Sequence, residues 1–480
     1  MLALRVARRS VGLISAVVLA RILSPQDYGT VAVGLLCVSL VQVLTEVGVK
    51  QNLIQERHHS RELVSTAWTV EVIRGVIITG LIFFLAPLGG DFFRQPEATA
   101  IVRGLSFVPL LRSIQNIKIV YFQRELQFNK VFLYEFSGTI GGLVTAVTAA
   151  LILRNAWALV LGQIAAVSIP TGLSYVLFPE WPRFRLDKSS LKQLYTFGKW
   201  MFLAALVSYF ALQGDKFFVG RLFDTTVLGM YVMAAMITNV IINEFGKGIS
   251  TVLFPAYAKI KSDLNKLKDA FVKSYECLLS ILVPACLGLY FISDDFVSVV
   301  LGEKWFEMIP ILKLLAIAGL ARGLLISASG LFLAVNRPKY NFICETVRAL
   351  ALLVPLLILP SIYGVNGVIF SLLLANLVVI PVHILLWRRL LPFKLVDLAK
   401  IYSTLIILSA LMFASVSFTI AVLNGGMIRL LVSVIAGLVS YLMGALVIYK
   451  YLDVGPARIW YHIFSCRKTN EERIEPEVVT

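Results

Sequence analysis

The sequence predicts an all-α polytopic membrane protein of about fourteen transmembrane helices, each long enough to cross a bilayer. Composition is the first reason: 58% of the 480 residues are hydrophobic and 15% are charged, against about 25% charged in soluble domains. The second is that apolar runs of about 20 residues recur from end to end. The third is that lysines and arginines crowd into alternate loops between these runs.

Each predicted span is an apolar run bounded by turn-forming residues. Gly89-Gly90-Asp91 and Asn424-Gly425-Gly426 are examples of such turns. The predicted spans lie at 3–23, 27–48, 65–89, 98–119, 130–153, 156–178, 197–220, 226–255, 275–299, 306–335, 340–360, 364–387, 398–423 and 427–450.

The loops between the spans differ strongly in charge. If the N-terminus is cytoplasmic, the inner loops hold about five times as many lysines and arginines as the outer loops, as the positive-inside rule requires. We therefore expect both termini in the cytoplasm and an even number of spans. The same rule explains the net charge of +16, which in a soluble protein would suggest a nucleic-acid partner. No nucleic-acid partner is predicted here.

Two sequence matches indicate an internal repeat. Residues 18–29 match residues 218–229, and both runs place an arginine and a glycine at the same positions. A second match extends over the middle of each half without gaps. Its equivalent pairs are Arg103 with Lys313, Arg112 with Arg322, Phe132 with Phe342, and Glu135 with Glu345.

The repeat predicts a division into four segments. These are an N-terminal six-helix bundle (1–182), a C-terminal six-helix bundle (183–392), two additional helices (393–452) and a cytoplasmic tail (453–480). Parallel repeats about an axis along the membrane normal place a substrate cavity between two lobes, and this arrangement suits alternating access. A duplicated scaffold without transport activity is the alternative.

Three predicted spans carry an acid and a base three residues apart, a spacing that places both on one helix face. Such charges cost about 2.5–3.5 kcal/mol each at a helix centre and should face a cavity or a partner. A self-neutralising structural pair and a cytoplasmic-side gate or hydrated lumen are both compatible with this spacing. The pairs are Glu71 with Arg74, Glu244 with Lys247, and Glu345 with Arg348.

Arg112 and Arg322 lie at equivalent, deep positions of the two repeats, without an acid three or four residues away. Two arginines facing one cavity would suit a pyrophosphate, because each guanidinium offers a fork of donors to phosphate oxygens. Pairing with acids on neighbouring helices, such as Glu135, is the alternative. Lys313, nearer the outer surface, is expected to snorkel to the interface.

Asp215 lies toward the outer end of the predicted seventh span, beside Lys216. A carboxylate at that depth could bind a coupling H⁺ or Na⁺. A local ion pair between Asp215 and Lys216 is the other interpretation.

Catalytic and metal-binding constellations are missing from the sequence. The four histidines are scattered, and the five cysteines lack metal-ligand spacing. We therefore expect no cofactor, no metal and no enzymatic activity. The short outer loops also leave no room for the catalytic domain of a membrane polymerase or ligase.

The run Ala20–Gly29 (ARILSPQDYG) looks like the signature of polysaccharide exporters. Glu46-Val47-Gly48, the run 52–55 (NLIQ), and the second-repeat run Gly214–Arg221 (GDKFFVGR) with Gly229-Met230-Tyr231 extend the match. Together these motifs resemble the Wzx-type oligosaccharide flippases of the multidrug/oligosaccharidyl-lipid/polysaccharide exporter superfamily.

This resemblance implies two six-helix bundles, usually with two further helices, and alternating access around a cationic cavity. It implies translocation of undecaprenyl-diphosphate-linked repeat units across the bacterial inner membrane, for exopolysaccharide or lipopolysaccharide synthesis. The expected partners are the lipid-linked glycan, membrane lipids, and a glycan polymerase with its chain-length regulator. Asp215 resembles a helix 7 aspartate that contributes to a cation site in related lipid II flippases.

Two other functions are compatible with parts of the sequence. An ion-coupled multidrug or small-molecule antiporter of the same superfamily would favour an acidic lumen, whereas the deep charges without an acid on their own helix face are arginines. A channel would need a pore-lining ring or a re-entrant motif, and the sequence shows neither.

Overall fold

The computed structural model describes residues 2–45, 53, 61–125, 127–187, 206, 209–210, 212–392 and 395–452. These residues form helices joined by short turns. The helices are α1 (Leu2–Ile22), α2 (Pro25–Leu44), α3 (Arg61–Phe92), α4 (Ala98–Leu105), α5 (Phe107–Ile114), α6 (Val120–Arg124), α7 (Phe128–Leu153), α8 (Trp157–Leu177), α9 (212–222), α10 (Thr225–Ile260), α11 (Leu264–Phe296), α12 (Ile309–Ala334), α13 (Pro338–Tyr363), α14 (Val365–Leu390), α15 (Leu395–Val422) and α16 (Met427–Leu452).

Eleven helices in the described part of the chain are long and apolar enough to cross a membrane. They correspond to all of the predicted spans except the first, fourth and seventh. The first is the 21-residue helix α1, which carries arginines in its first half. The seventh is described only in part, as α9. The protein is therefore an all-helical, multi-pass membrane protein.

The predicted fourth span, 98–119, is not one continuous helix. It is divided into α4 and α5 at Ser106. Pro109, one turn later, has no N–H with which to continue the helical hydrogen-bond ladder. At the break the Ser106 hydroxyl donates to the carbonyl of Arg103 (2.6 Å), and Thr79 of α3 donates to the carbonyl of Ser106 (2.8 Å). Because these two hydrogen bonds satisfy polar groups at the break, the helix can be interrupted inside an apolar segment.

The helices pack into two compact units, Met1–Met233 and Ala234–Thr480. This division lies inside α10, later than the predicted boundary after residue 182, because α9 and the first turns of α10 pack with the first unit. The predicted tail, 453–480, lies outside the described residues.

The same helix neighbours recur in the two units. α7 packs along α8 in the first unit, and α13 packs along α14 in the second. α5 also contacts α8, and α12 contacts α14 in the equivalent way. Small residues allow the close approach in the first unit: a methyl group added at Gly142 would lie 2.7 Å from Cβ of Ala166.

α15 and α16 pack on each other and on α11 of the second unit. Hydroxyl pairs join the two helices, with Oγ of Ser415 2.8 Å from Oγ of Ser440 and Oγ1 of Thr419 2.9 Å from Oγ of Ser433. The last two helices are therefore held to α11 and to each other within the second unit.

Candidate functional site

The signature run Ala20–Gly29 builds the start of α2. The Ser24 hydroxyl accepts from the backbone N–H of Asp27 (3.2 Å), and Asp27 Oδ2 accepts from the backbone N–H of Ser24 (2.9 Å). This reciprocal cap satisfies two helix-end donors, and Pro25 follows at a position where no N–H is needed. In the second repeat Asp224 similarly accepts from the N–H of Val227 at the start of α10 (2.8 Å).

The two repeat glycines make a reciprocal contact between α2 and α10. A methyl group added at Gly29 would lie 1.7 Å from the carbonyl oxygen of Thr225. A methyl group added at Gly229 would lie 1.8 Å from the carbonyl oxygen of Pro25. Because the obstacle is backbone on both sides, the first turns of the two helices can touch only if both positions are glycine.

A second contact at the same end of the first unit joins α3 to α9. Nη1 of Arg221 donates to the carbonyl of Phe92 (2.7 Å), and the guanidinium stacks on the Phe92 ring at 5.2 Å from its centroid. The rings of Phe93 and Phe217 lie 5.7 Å apart. The repeat arginine thus caps an aromatic cluster between two helix ends.

Asp215 is buried in the first unit, with a relative exposure of 9%. Its Oδ2 accepts a hydrogen bond from the hydroxyl of Tyr231 on α10 (2.6 Å). The neighbouring Lys216 donates to the side-chain oxygen of Gln213. Asp215 therefore connects α9 to α10 through a neutral donor, a contact that the sequence did not predict.

Glu71 and Arg74 form an ion pair on α3, with 3.2 Å between Nη1 and Oε2. Arg74 also donates from Nη2 to the carbonyl of Gln42 (3.1 Å) and from Nε to Oγ1 of Thr45 (3.4 Å) at the end of α2. A cation at a helix C-terminus is stabilised by the last carbonyl groups. This geometry favours the structural interpretation of the pair.

The equivalent pair in the second unit is less enclosed. Arg348 is buried and donates from Nε to Oε2 of Glu345 (3.1 Å), whereas 56% of the Glu345 side chain is exposed. The carboxylate is thus accessible while the guanidinium is not. Glu244 and Lys247 lie on α10, and their side chains fall outside the described residues.

Arg112 is exposed in the last turn of α5, within the predicted fourth span. Val108 and Pro109, one turn earlier on the same helix α5, and the adjacent Ser113 are buried. A guanidinium inside the membrane must face water or an anion instead of hydrocarbon. Its repeat equivalent, Arg322 on α12, is half-buried and has interaction partners, so the two positions differ in environment.

Two ion pairs at the outer end of α11 were not predicted. Asp295 is buried and accepts from Nε of Arg429 on α16 at 2.8 and 3.0 Å. Asp294 accepts from Nζ of Lys313 on α12 at 2.6 Å. Lys313, which is expected from the sequence to snorkel to the interface, thus has a partly exposed carboxylate on the adjacent helix within reach. Two adjacent aspartates near the end of a predicted span, Asp294 and Asp295, were the sequence signal from which these ion pairs could have been predicted.

Metal ligation has no candidate in the part of the chain that the structure describes. Those residues contain no group of three or more His, Cys, Asp and Glu side chains that could hold a metal ion. The charged groups that are present suit ion pairing and anion binding.

The arrangement of helices matches that of a solved transporter. The structure is similar to lipid II flippase MurJ in an inward closed conformation, with a TM-score of 0.77, 14% identity, and coverage of 94% of this chain and 99% of that chain. At this identity the likeness shows a shared fold. The protein thus has the same fold as this multi-helix membrane protein.

The chain belongs to the polysaccharide biosynthesis protein family, whose model matches residues 18–310. It is 28% identical to lipopolysaccharide biosynthesis protein WzxC of Escherichia coli K12, over 76% of this chain and 75% of that protein. It is 26% identical to teichuronic acid biosynthesis protein TuaB of Bacillus subtilis, over 63% of each chain. The family resemblance predicted from the signature motifs is confirmed.

Proposed function

We propose that the protein flips an undecaprenyl-diphosphate-linked oligosaccharide repeat unit from the cytoplasmic to the periplasmic leaflet of the bacterial inner membrane. Family membership and the flippase-like fold support a transporter of lipid-linked glycans. The observation that carries the proposal is the exposed guanidinium of Arg112, inside the predicted fourth span. An anionic diphosphate is the chemical group that such a position would stabilise.

In this proposal Arg112 and Arg322 each bind the diphosphate of the substrate during its passage, either at the same time or one after the other. The exposed Arg112 would meet the substrate directly. Arg322 has other partners, so it would exchange them for phosphate oxygens. Glu345 would line the cytoplasmic entrance, whereas Glu71 and Arg74 hold α2 against α3.

Alternating access gives a role to the contacts of the outer helix ends. The α2–α10 crossing at Gly29 and Gly229 and the Arg221–Phe92 contact would close the outer side and separate when substrate is released. Gly29 and Gly229 are equivalent positions of the two repeats, and the proposed cycle moves two six-helix bundles about a pseudo-two-fold axis. α15 and α16 would move with the second bundle, because Arg429 ties α16 to α11.

The transport test uses purified protein in vesicles with a fluorescent lipid-diphosphate-linked oligosaccharide. Externally added dithionite bleaches only outer-leaflet label and so reports flipping. One charge-assisted contact is worth about 1.5–3 kcal/mol, so Arg112→Ala should weaken substrate binding about ten- to a hundredfold. Arg112→Lys should be less impaired, because it keeps the charge but loses the planar fork.

Arg103→Ala is the matched control for the flipping assay. Arg103 is an exposed arginine of the same predicted span, stacked over Phe83 near its outer end, and its loss should leave binding unchanged. Normal flipping by a correctly inserted Arg112→Ala protein would refute the diphosphate site. Export of an organic cation in place of the glycan lipid would instead favour an ion-coupled antiporter.

A further inference from the structure

The helix that carries Arg112, α5, is only eight residues long. It is separated from α4 at Ser106 and ends where the backbone of Gln115 leaves the helical conformation, with a ψ angle of 142°. The carbonyl groups in the last turn of a helix have no N–H donor within that helix. Inside a membrane each of them needs a donor from elsewhere in the protein. The donors at the end of α5 are therefore part of what holds this short helix in place.

Side chains of α3 and α8 supply these donors. The hydroxyl of Thr171 on α8 donates to the carbonyl of Leu111 (3.0 Å). Trp68 on α3 donates from Nε1 to the carbonyl of Ile114 (3.3 Å), and the hydroxyl of Tyr175 on α8 donates to the same carbonyl. The last turn of α5 is therefore bonded from two neighbouring helices.

The hydrogen bond from Thr171 acts directly beside Arg112. The carbonyl of Leu111 and the N–H of Arg112 belong to one peptide group, and that group is planar. A donor that fixes this carbonyl therefore also fixes the backbone nitrogen of Arg112. Without the bond, the last turn of α5 could tilt or unwind, and the guanidinium at the end of a long side chain would be displaced.

Further contacts with α3 limit rotation of α5 about its own axis. Ser113 is buried against Gly75 of α3, where an added methyl group would lie 2.0 Å from Oγ of Ser113. At the other end of α5, Thr79 of α3 donates to the carbonyl of Ser106 (2.8 Å). Because both ends of α5 are held, the backbone from which Arg112 projects has a defined position.

We propose that Thr171, together with Trp68 and Tyr175, positions Arg112 for the diphosphate of the substrate. These residues act through the backbone of α5 and are not themselves in contact with the substrate. The inference rests on the proposed function of Arg112 and names the residues on which its affinity depends. A group that is held in its binding position before the ligand arrives binds more tightly, because less ordering accompanies binding.

Thr171→Val tests the positioning role, because valine keeps the shape of threonine but cannot donate to the Leu111 carbonyl. In the flipping assay we expect the mole fraction of lipid-linked substrate that gives half-maximal rate to rise about two- to tenfold, the effect of losing one neutral hydrogen bond. The maximal rate per correctly inserted protein should stay unchanged. A variant that was only less stable would instead lose maximal rate and keep its affinity.

Two other variants on α8 serve as controls. Thr171→Ser restores the hydroxyl and should restore most of the affinity. Ser168→Ala is the matched control, because Ser168 is also half-buried but donates to the carbonyl of Ile164 in its own helix (2.8 Å). It should leave the affinity unchanged. Thermal unfolding in detergent would verify that each variant folds.

A double-mutant cycle connects Thr171 to Arg112. In the Arg112→Ala background, Thr171→Val should cause no further loss of affinity, because the guanidinium that Thr171 positions is already missing. Losses of affinity that simply add would give Thr171 a role independent of Arg112 and would overturn the proposal.

Comparison of the two single variants separates this proposal from the proposed function. Unchanged affinity in Arg112→Ala would refute the diphosphate site and the positioning role together. Weakened affinity in Arg112→Ala with normal affinity in Thr171→Val would keep the diphosphate site and overturn only the positioning role.

Discussion

At the scale of single residues, this protein stabilises charges within the membrane in three ways. Arg74 donates to the carbonyl end of a neighbouring helix as well as to Glu71. Asp295 accepts two hydrogen bonds from one guanidinium nitrogen of Arg429. Asp215 accepts a hydrogen bond from a tyrosine hydroxyl. This donor is neutral, so the contact does not offset the negative charge of the carboxylate. Among the carboxylates of Glu71, Asp295 and Asp215, we therefore expect that of Asp215 to be the best placed to bind a coupling ion.

Replacement of Asp215 tests this coupling role. Asn keeps an oxygen that can accept from Tyr231, so Asp215→Asn should fold normally while losing the carboxylate that we propose binds the coupling ion. We expect gradient-driven flipping in vesicles to fall by about tenfold, the effect of losing about 1.4 kcal/mol of differential binding. Tyr231→Phe keeps the carboxylate and is the matched control. Full gradient dependence in Asp215→Asn would leave Asp215 with a structural role only.

At the scale of helices, the signature motif determines where helices begin and how closely they cross. Ser24 and Asp27 start α2, and Asp224 starts α10. Gly29 and Gly229 then allow the two first turns to touch through their backbones. The motif that identifies the family is thus explained by helix geometry.

The close contact at Gly29 predicts that two glycine-to-alanine substitutions change the folding free energy in opposite directions. In Gly29→Ala the new methyl group overlaps the Thr225 carbonyl, and overpacking of this kind costs about 1–3 kcal/mol of folding free energy. Gly172→Ala on α8 meets open space and should be neutral or stabilising by about 0.5–1 kcal/mol. Thermal unfolding of both proteins in detergent measures the difference.

Because either methyl group already separates α2 from α10, the double variant Gly29→Ala/Gly229→Ala should lose less stability than the sum of the two single losses. Strictly additive losses would show that the two glycines do not share one contact.

At the scale of the whole molecule, charge distribution and duplication together predict the orientation. The basic excess in alternate loops predicts that both termini lie in the cytoplasm. The recurring pairs α7–α8 and α13–α14 show equivalent packing within each unit. An even number of spans in each repeat would give the two halves the same orientation in the membrane.

Cysteine labelling tests this orientation. In a protein without its five native cysteines, Asp91→Cys and Glu303→Cys should react with a membrane-impermeant maleimide added to intact cells. Lys188→Cys and Lys266→Cys should react only after the membrane is opened. Reaction of the last two from outside, or protection of the first two, would contradict the predicted topology.

The sequence alone determined the membrane class, the positions of most spans and the family. These properties follow from composition and periodicity, because a bilayer imposes a minimum apolar length on every helix that crosses it. Loop charge is likewise a local property, so the predicted orientation required no tertiary contact.

Only the tertiary structure decided which partner each charge has. Lys313 binds Asp294 and Asp215 meets Tyr231, although sequence reasoning assigned neither pair. Partners on different helices have no fixed spacing along the chain, so sequence pattern cannot select among them. The need for glycine at residues 29 and 229 has the same origin: the obstacle is the backbone of another helix, which becomes a neighbour only when the chain has folded.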